Sequence, residues 1–307
     1  MSSAPVGTAK AATAAEVAAK APRKVKPPKE ESRENWLVRL VLVIVTIGFF
    51  IPTFGLFVTS FRARDDAAAS GWWTALLNPF HQDWILTNYS EVLSQGMGNA
   101  FINSIVVAVP ATIIPILIAA MAAYAFTFTE FRGRDVLFII VVGLLVVPNQ
   151  VALVPLLQIF NALGLTGEFA SVWLAHSGFG MPLAIFILRA YMSTLPKAVI
   201  ESAKIDGATH YQTFWKLILP MSVPALASFA IFQFLWVWND LLVALLFIGG
   251  GDNEVVTQNL ASLLGQYGDR WDLLAPGAFV SMFLPLVVFL SLQRYFVRGM
   301  TAGAVKG

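Results

Sequence analysis

The sequence predicts an all-α integral membrane protein of six kinked transmembrane helices, and three observations lead there. Of its 307 residues 57% are hydrophobic and 12% charged, whereas a soluble domain carries roughly 25% charged residues. Six apolar stretches each supply the 20 or so helical residues needed to cross about 30 Å of hydrocarbon. Lys and Arg are sorted by loop so that both termini fall on the cytoplasmic side.

The stretches occupy residues 36–61, 101–128, 136–160, 172–192, 217–248 and 273–297. They are continuous, whereas barrel strands alternate inward and outward over about 10 residues. With the N-terminus inside, every Lys and Arg except Arg62, Arg64 and Arg270 is cytoplasmic. The external segments are then 62–100, 161–171 and 249–272, and Trp72, Trp73 and Trp84 in the first suit an interfacial position. Residues 1–35 read as a disordered basic cytoplasmic tail, with Arg23, Lys24, Lys26 and Lys29 placed to lie near anionic lipid. The apolar run that follows is too long for a cleavable signal.

Prolines interrupt every span: Pro52; Pro110 and Pro115; Pro148 and Pro155; Pro182; Pro220 and Pro224; Pro276 and Pro285. Each removes a backbone donor, a defect tolerated in a membrane when neighbouring helices, polar side chains or water repair it. Kinked helices suit a bundle that rocks, and proline is also simply commoner in membrane helices than in soluble ones.

Much chemistry is excluded. There is no Cys, hence no disulfide, thiolate metal site or cysteine nucleophile. His81, His176 and His210 are scattered and form no recognisable metal set. The turn Gly249-Gly250-Gly251-Asp252 lacks a following Lys-Ser or Lys-Thr, and no phosphate-binding loop occurs anywhere in the chain. We therefore expect no catalytic residue, cofactor or metal bound by this chain, and no nucleic-acid partner. Asp240 is the one acidic residue placed inside a span, beside Trp238 and Asn239. Two roles stay open: Trp238, Asn239 and Asp240 belong to a pathway, or Asp240 is a structural partner of a helix terminus or a neighbouring polar group that fixes packing. The aromatic stripe of Phe229, Phe232, Phe234, Trp236 and Trp238 suits packing against lipid or core.

The informative segment is the cytoplasmic loop between spans four and five, which reads ESAKIDGATHYQTFWKLILP over residues 201–220. Pro196 stands where a first helical turn starts, and Lys197, Glu201 and Lys204 form one charged stripe. Ile200 and Ala203 lie on another face. Gly207 breaks this helix, and Thr209 with Gln212 has capping-box form, so a second short helix begins there. Small residues at Ser202, Ala203, Gly207 and Ala208 let the resulting elbow lie close against another surface.

At these residues the chain resembles the permease subunits of binding-protein-dependent ABC importers. Their cytoplasmic signature begins Glu-Ala-Ala, continues with Gly after three more residues, and ends in Ile-x-Leu-Pro; here it reads Glu201-Ser202-Ala203, Gly207 and Leu217-Ile218-Leu219-Pro220. The resemblance is strongest to the maltose-permease-type carbohydrate branch, in its second permease subunit. Asn88-Tyr89, Asn103-Ser104, Ala123-Tyr124-Ala125, Trp238-Asn239-Asp240 and the end from Gly299 to Gly307 carry it.

The resemblance implies the ABC type I importer permease fold. Residues 36–298 form its transmembrane domain, with a coupling loop at about 193–219 and a cytoplasmic tail at 299–307. Glu201, Ser202, Ala203, Asp206, Gly207, Ala208, Leu219 and Pro220 would then contact an ATPase subunit, with Thr301, Gly303, Lys306 and Gly307 as a second contact. Implied partners are a second homologous permease, two ATP-binding cassette subunits that use ATP and Mg, an extracytoplasmic solute-binding protein and membrane lipid. The implied location is the cytoplasmic membrane of a prokaryote. The implied solute is a sugar or oligosaccharide, the alternative being a non-sugar solute. By the same resemblance Gly249 to Asp252 belong to a loop that meets the binding protein; a flexible connector is the other reading.

Overall fold

The computed structural model describes residues 36–264 and 270–304, with side chains as far as Tyr295. The basic tail expected over 1–35 lies outside the described residues. The chain divides into two units, one ending at Ile51 and the other running from Pro52. α1 (Trp36–Thr59) begins in the first, where Leu37, Val41, Ile44 and Ile47 are all exposed. A helix apolar on every side is what a lipid-facing span requires.

In the second unit, α2 (Arg64–Ala69), α3 (Trp72–Leu77) and a 3₁₀ turn at Pro79–His81 precede α4 (Thr87–Val92). A π turn at Leu93–Met97, with Gly96 at φ 103°, leads into α5 (Gly98–Phe128). Next come α6 (Arg134–Gly143), α7 (Asn149–Ala162) and α8 (Phe169–Met192). Then follow α9 (Lys197–Ile205), α10 (His210–Thr213), α11 (Leu219–Met221), α12 (Val223–Trp238), α13 (Leu242–Phe247), α14 (Val256–Leu264) and α15 (Trp271–Ala304).

Four helical stretches are each long and apolar enough to cross a membrane: Trp36–Thr59, Thr87–Phe128, which is kinked at Gln95 and Gly96, Phe169–Met192 and Trp271–Tyr295. Two more are bent pairs, Arg134–Val146 with Asn149–Ala162 at 101°, and His210–Met221 with Val223–Trp238 at 71°. Counting each pair once gives the six expected spans, but the third and fifth are not the continuous helices that 136–160 and 217–248 suggest. Pro148 stands at the first break, as the residue before α7, and Pro224 opens α12 at the second. A missing amide is harmless there, because the first turn of a helix has no acceptor to offer it. A further break at 239–241 separates α12 from α13.

Two apolar clusters fix the direction of the central helices. One gathers Ala100, Ala108 and Ala111 of α5, Val172 and Ala175 of α8, and Phe234 and Trp238 of α12. The other gathers Ala119, Ala123 and Tyr124 of α5, Ala184 and Leu188 of α8, and Ala225 and Phe229 of α12. α5 and α8 therefore run from the first cluster to the second and α12 returns. The alanines let backbones approach closely, which suits a bilayer, where packing rather than water drives helix association.

Candidate coupling site

The connection from α8 back to α12 lies at the second cluster and forms the elbow. Pro196 precedes α9 with extended backbone (ψ 116°), and Ile200 and Ala203 are buried beneath the helix. α9 ends in a Schellman closure around Gly207, whose φ is +79°. The Ala208 amide donates to the Ala203 carbonyl at 2.9 Å, and the Gly207 amide to that of Lys204 at 3.1 Å. Thr209 then starts α10 with both halves of a capping box. Its hydroxyl accepts from the Gln212 amide at 3.2 Å, and Gln212 Oε1 accepts from the Thr209 amide at 2.9 Å.

The elbow has a buried side and an open one. Thr213, Phe214 and Ile218 are buried, Phe214 meeting the Tyr124 ring edge-on with centroids 5.5 Å apart. Tyr124 Oη and His210 Nδ1 are 2.9 Å apart, a hydrogen bond from the end of α5 to α10. Glu201, Ser202, Lys204, Asp206 and Gly207 are exposed, Ala208 is half-buried, and at the tip Ile205 is 86% exposed. Leu219 is half-buried and Pro220 exposed where the chain turns into α12. Behind α9 opens a cavity of about 640 Å³ with Arg134, Arg189, Lys197, Glu201 and Lys204 on its walls. The Arg189 guanidinium rests 3.8 Å over the Phe138 ring, which orients it.

Glu201, Ser202, Ala203, Asp206, Gly207 and Ala208 thus share the bend at Gly207, whereas Leu219 and Pro220 lie beyond α10 at the separate turn into α12. Sequence reasoning passed over Ile205, whose apolar character reads as core until the bend turns it outward. It also passed over the Tyr124–His210 pair, because 86 residues separate its members. Of the proposed tail contacts, Lys306 and Gly307 lie outside the described residues, while Thr301 and Gly303 fall on the described backbone of α15.

Trp238, Asn239 and Asp240 sit at the break between α12 and α13. Trp238 is buried, edge-on to Phe101 at 5.5 Å and stacked with Phe234 at 5.6 Å. The Asp240 carboxylate accepts from the Val243 amide at 2.7 Å, the contact of a helix cap. Asn239 is exposed and bonds the Leu235 carbonyl of its own helix. Among the described residues no cluster of His, Cys, Asp and Glu is arranged to hold a metal.

At the opposite end the Gly249 turn is pinned. Gly249 and Gly251 take φ of +78° and +92°, and Asn99 and Asn103 of α5 both donate to the Asp252 carbonyl, at 2.8 and 2.7 Å. Asn103 also reaches the Glu254 carbonyl at 2.9 Å, Asn253 donates to that of Gly167 at 2.9 Å, and Gln258 to that of Gly249. These bonds tie the turn to α5 and to the segment before α8. Nearby, Arg270 pairs with Asp272 and Glu91, and the hydrogen bond to Asp272 outweighs desolvation to hold its guanidinium above the usual range.

The alpha-glucoside transport system permease protein AglG of Rhizobium meliloti is 40% identical to this chain, the alignment covering 91% of it and 99% of AglG. A solved bacterial ABC transporter for import of the acidic polysaccharide alginate superposes with a TM-score of 0.66 at 20% identity, over 86% of this chain and 98% of that one. That likeness is one of fold. The osmoprotective compounds uptake permease protein GgtD of Synechocystis sp. is 55% identical, over 86% of this chain and 91% of GgtD. With residues 115–302 also matching the model of that family, the chain belongs to the binding-protein-dependent transport system inner membrane components.

Proposed function

We propose that this chain is the permease subunit of an ATP-driven importer for a sugar or oligosaccharide. It pairs with a second, homologous permease in the cytoplasmic membrane of a prokaryote, and two ATP-binding cassette subunits consume ATP and Mg on the cytoplasmic side. Support for the solute class comes from the relatives: the names of AglG and GgtD speak of alpha-glucosides and of osmoprotective compounds. A polyhydroxylated neutral solute satisfies both descriptions.

The observation that carries the coupling reading is the two-sided elbow. One side is packed and hydrogen-bonded to the ends of α5 and α8. The other presents Ile205, 86% exposed, between Glu201 and Asp206. An exposed apolar residue framed by charges is an anchor for a partner's pocket. Since this chain has no phosphate-binding loop, fuel is spent by the partner, and closure of the ATPases moves the elbow as a lever on the packed helices. Each state is selected by its difference in affinity for the partner. Thr301, Gly303, Lys306 and Gly307 add a second ATPase contact, Gly249 to Asp252 meet the binding protein, and Asn239 and Asp240 are the polar groups this reading sets on the solute path.

Reconstitution with the ATPase and binding-protein partners tests the reading. Ile205→Asp and Glu201→Lys should each remove binding-protein-stimulated uptake of an α-glucoside while the chain still inserts. Uptake at the unsubstituted rate in both variants would refute the coupling role, and stimulation by a non-sugar solute alone would refute the substrate class.

A further inference from the structure

The segment joining α1 to α4 exposes more large apolar surface than an external loop in water tolerates. Phe80 is 97% exposed, Leu77 76%, Leu86 71% and Trp73 57%, with Leu76 and Trp84 also exposed. Contiguous patches of this kind on a soluble surface mark a binding partner.

The position of the segment against the last turns of α1 points to that partner. α3 is two-faced: Trp72 and Ala75 point inward, and Trp73, Leu76 and Leu77 point out. The Trp72 indole meets Phe54 edge-on with centroids 5.9 Å apart and lies so close over Gly55 that a Cβ there would stand 2.5 Å from its Nε1. Only glycine accommodates that approach. Gly55 precedes the end of α1 at Thr59 by four residues, which is about 6 Å at 1.5 Å per residue. α3 is therefore held alongside the span, roughly one turn below its end, and amphipathic helices that lie in the membrane interface sit about 5–10 Å deep.

The segment is also rigid. Arg62 is fully buried, and its guanidinium donates to the Ser70 carbonyl at 2.8 Å, the Asp66 carbonyl at 2.6 Å, Ser70 Oγ at 2.6 Å and Gln82 Oε1 at 2.9 Å. These acceptors bracket α3 on both sides in sequence. Asn88 adds bonds to the carbonyls of Ser60 and Arg62, at 3.1 and 2.9 Å. Trp84 Nε1 donates to the Pro79 carbonyl at 2.9 Å, so its polar edge is satisfied while the ring stays exposed. Tryptophan with its N–H bonded and its ring free is suited to the headgroup level of a bilayer.

We propose that residues 72–86 form an interfacial foot, whose outward face of Trp73, Leu77, Phe80 and Trp84 lies in the outer leaflet at the headgroup boundary. The partner is the lipid surface. Of the three tryptophans that the sequence suited to this position, Trp72 serves instead as the bolt to α1. The foot gives the bundle a fixed external reference while the opposite, elbow end is displaced. It depends on the membrane fold and not on the identity of the solute.

Because this chain has no Cys, it can be labelled at one chosen position before assembly with its partners, and the full complex is then reconstituted in phospholipid nanodiscs. Nitroxides on Leu77→Cys and Phe80→Cys should collide several-fold more with dissolved oxygen than with a water-soluble nickel chelate, and one on exposed Asp65→Cys should show the reverse. Chelate-dominated collisions at residues 77 and 80 would mean a water-facing surface and overturn the proposal. Shielding from both reagents would mean coverage by another protein, the binding protein or the second permease, and overturn it equally.

Discussion

Trp238 Nε1 donates to the carbonyl of Ser281 at 3.1 Å, and Ser281 stands four residues before Pro285, the proline whose missing amide leaves that carbonyl without its helical partner. The arrangement recurs twice. Trp173 Nε1 reaches the Val106 carbonyl at 2.9 Å, four residues before Pro110, and Gln233 Nε2 reaches the Ala111 carbonyl at 3.1 Å, four residues before Pro115. Three carbonyls orphaned by proline, two in α5 and one in α15, are thus used as cross-links to a neighbouring helix. Gln233 also donates to the His176 carbonyl at 3.2 Å, so one side chain joins α12, α5 and α8. Gln233→Leu should destabilise the purified chain by about 1–3 kcal/mol, the cost of leaving a buried polar group unpaired. In a Pro115→Ala background the residue 115 amide satisfies Ala111, and the same substitution should cost measurably less. A double-mutant cycle on thermal unfolding in nanodiscs reads this directly, and strict additivity would show that the proline and the glutamine act independently.

The hydrogen bond between Tyr124 and His210 is the polar link from the elbow to α5. Tyr124→Phe keeps the ring contacts with Phe128 and Phe214 and removes only the hydroxyl. The expected loss is about 0.5–1.5 kcal/mol, enough to loosen the lever without unfolding it. ATP hydrolysed per solute imported should rise in the reconstituted complex while basal hydrolysis holds. An unchanged ratio would remove this pair from the coupling route.

A methyl group placed on Gly207 would meet no heavy atom of this chain within 4 Å, so within the chain the requirement for glycine there is one of backbone conformation. At φ +79° an alanine is strained by about 1–2 kcal/mol, and asparagine, which visits the left-handed region more readily, by less. Proline fixes φ near −65° and removes the amide that closes onto the Lys204 carbonyl. Uptake rates should fall in the order Gly, Asn, Ala, Pro, with the last near zero. Full activity in Gly207→Pro would show that the bend plays no part in transport.

The apolar stretches that become spans and the two short helices of the elbow were legible because each rests on a local rule: apolar length, a glycine stop and a Thr-x-x-Gln start. What escaped was non-local. The 101° bend in the third span needed a choice among many prolines, and prolines with a donor nearby, such as Pro110 and Pro115, sit inside a continuous α5. No single-chain pattern announces that Gln233 faces Ala111, 122 residues away. Trp238 illustrates the same limit at the candidate pathway, since only the fold supplies Ser281, 43 residues away. The bond from the Val243 amide to Asp240 is by contrast local and matches one of the two roles the sequence left open for that carboxylate.

Asn103 offers the counterpart test at the other end of the bundle. Its Nδ2 is shared between the Asp252 and Glu254 carbonyls, at 2.7 and 2.9 Å, and thereby fixes the loop after α13 to α5. Ser104 Oγ, one residue on, accepts from the Val256 amide at 2.9 Å, so adjacent side chains hold successive residues of the arm that leads into α14. Asn103→Ala leaves two part-buried carbonyls without this donor and should free the turn at Gly249 to Asp252, at a cost of about 1–3 kcal/mol. Because the elbow is untouched, basal ATP hydrolysis by the complex should stay within error, whereas the concentration of solute-loaded binding protein needed for half-maximal stimulation should rise roughly five- to tenfold, as a loss of about 1–1.4 kcal/mol of binding dictates. Asn103→Asp, which keeps the shape but presents oxygens to oxygens, should be at least as damaging. Unaltered stimulation in both variants would show that the binding protein engages some other part of this face.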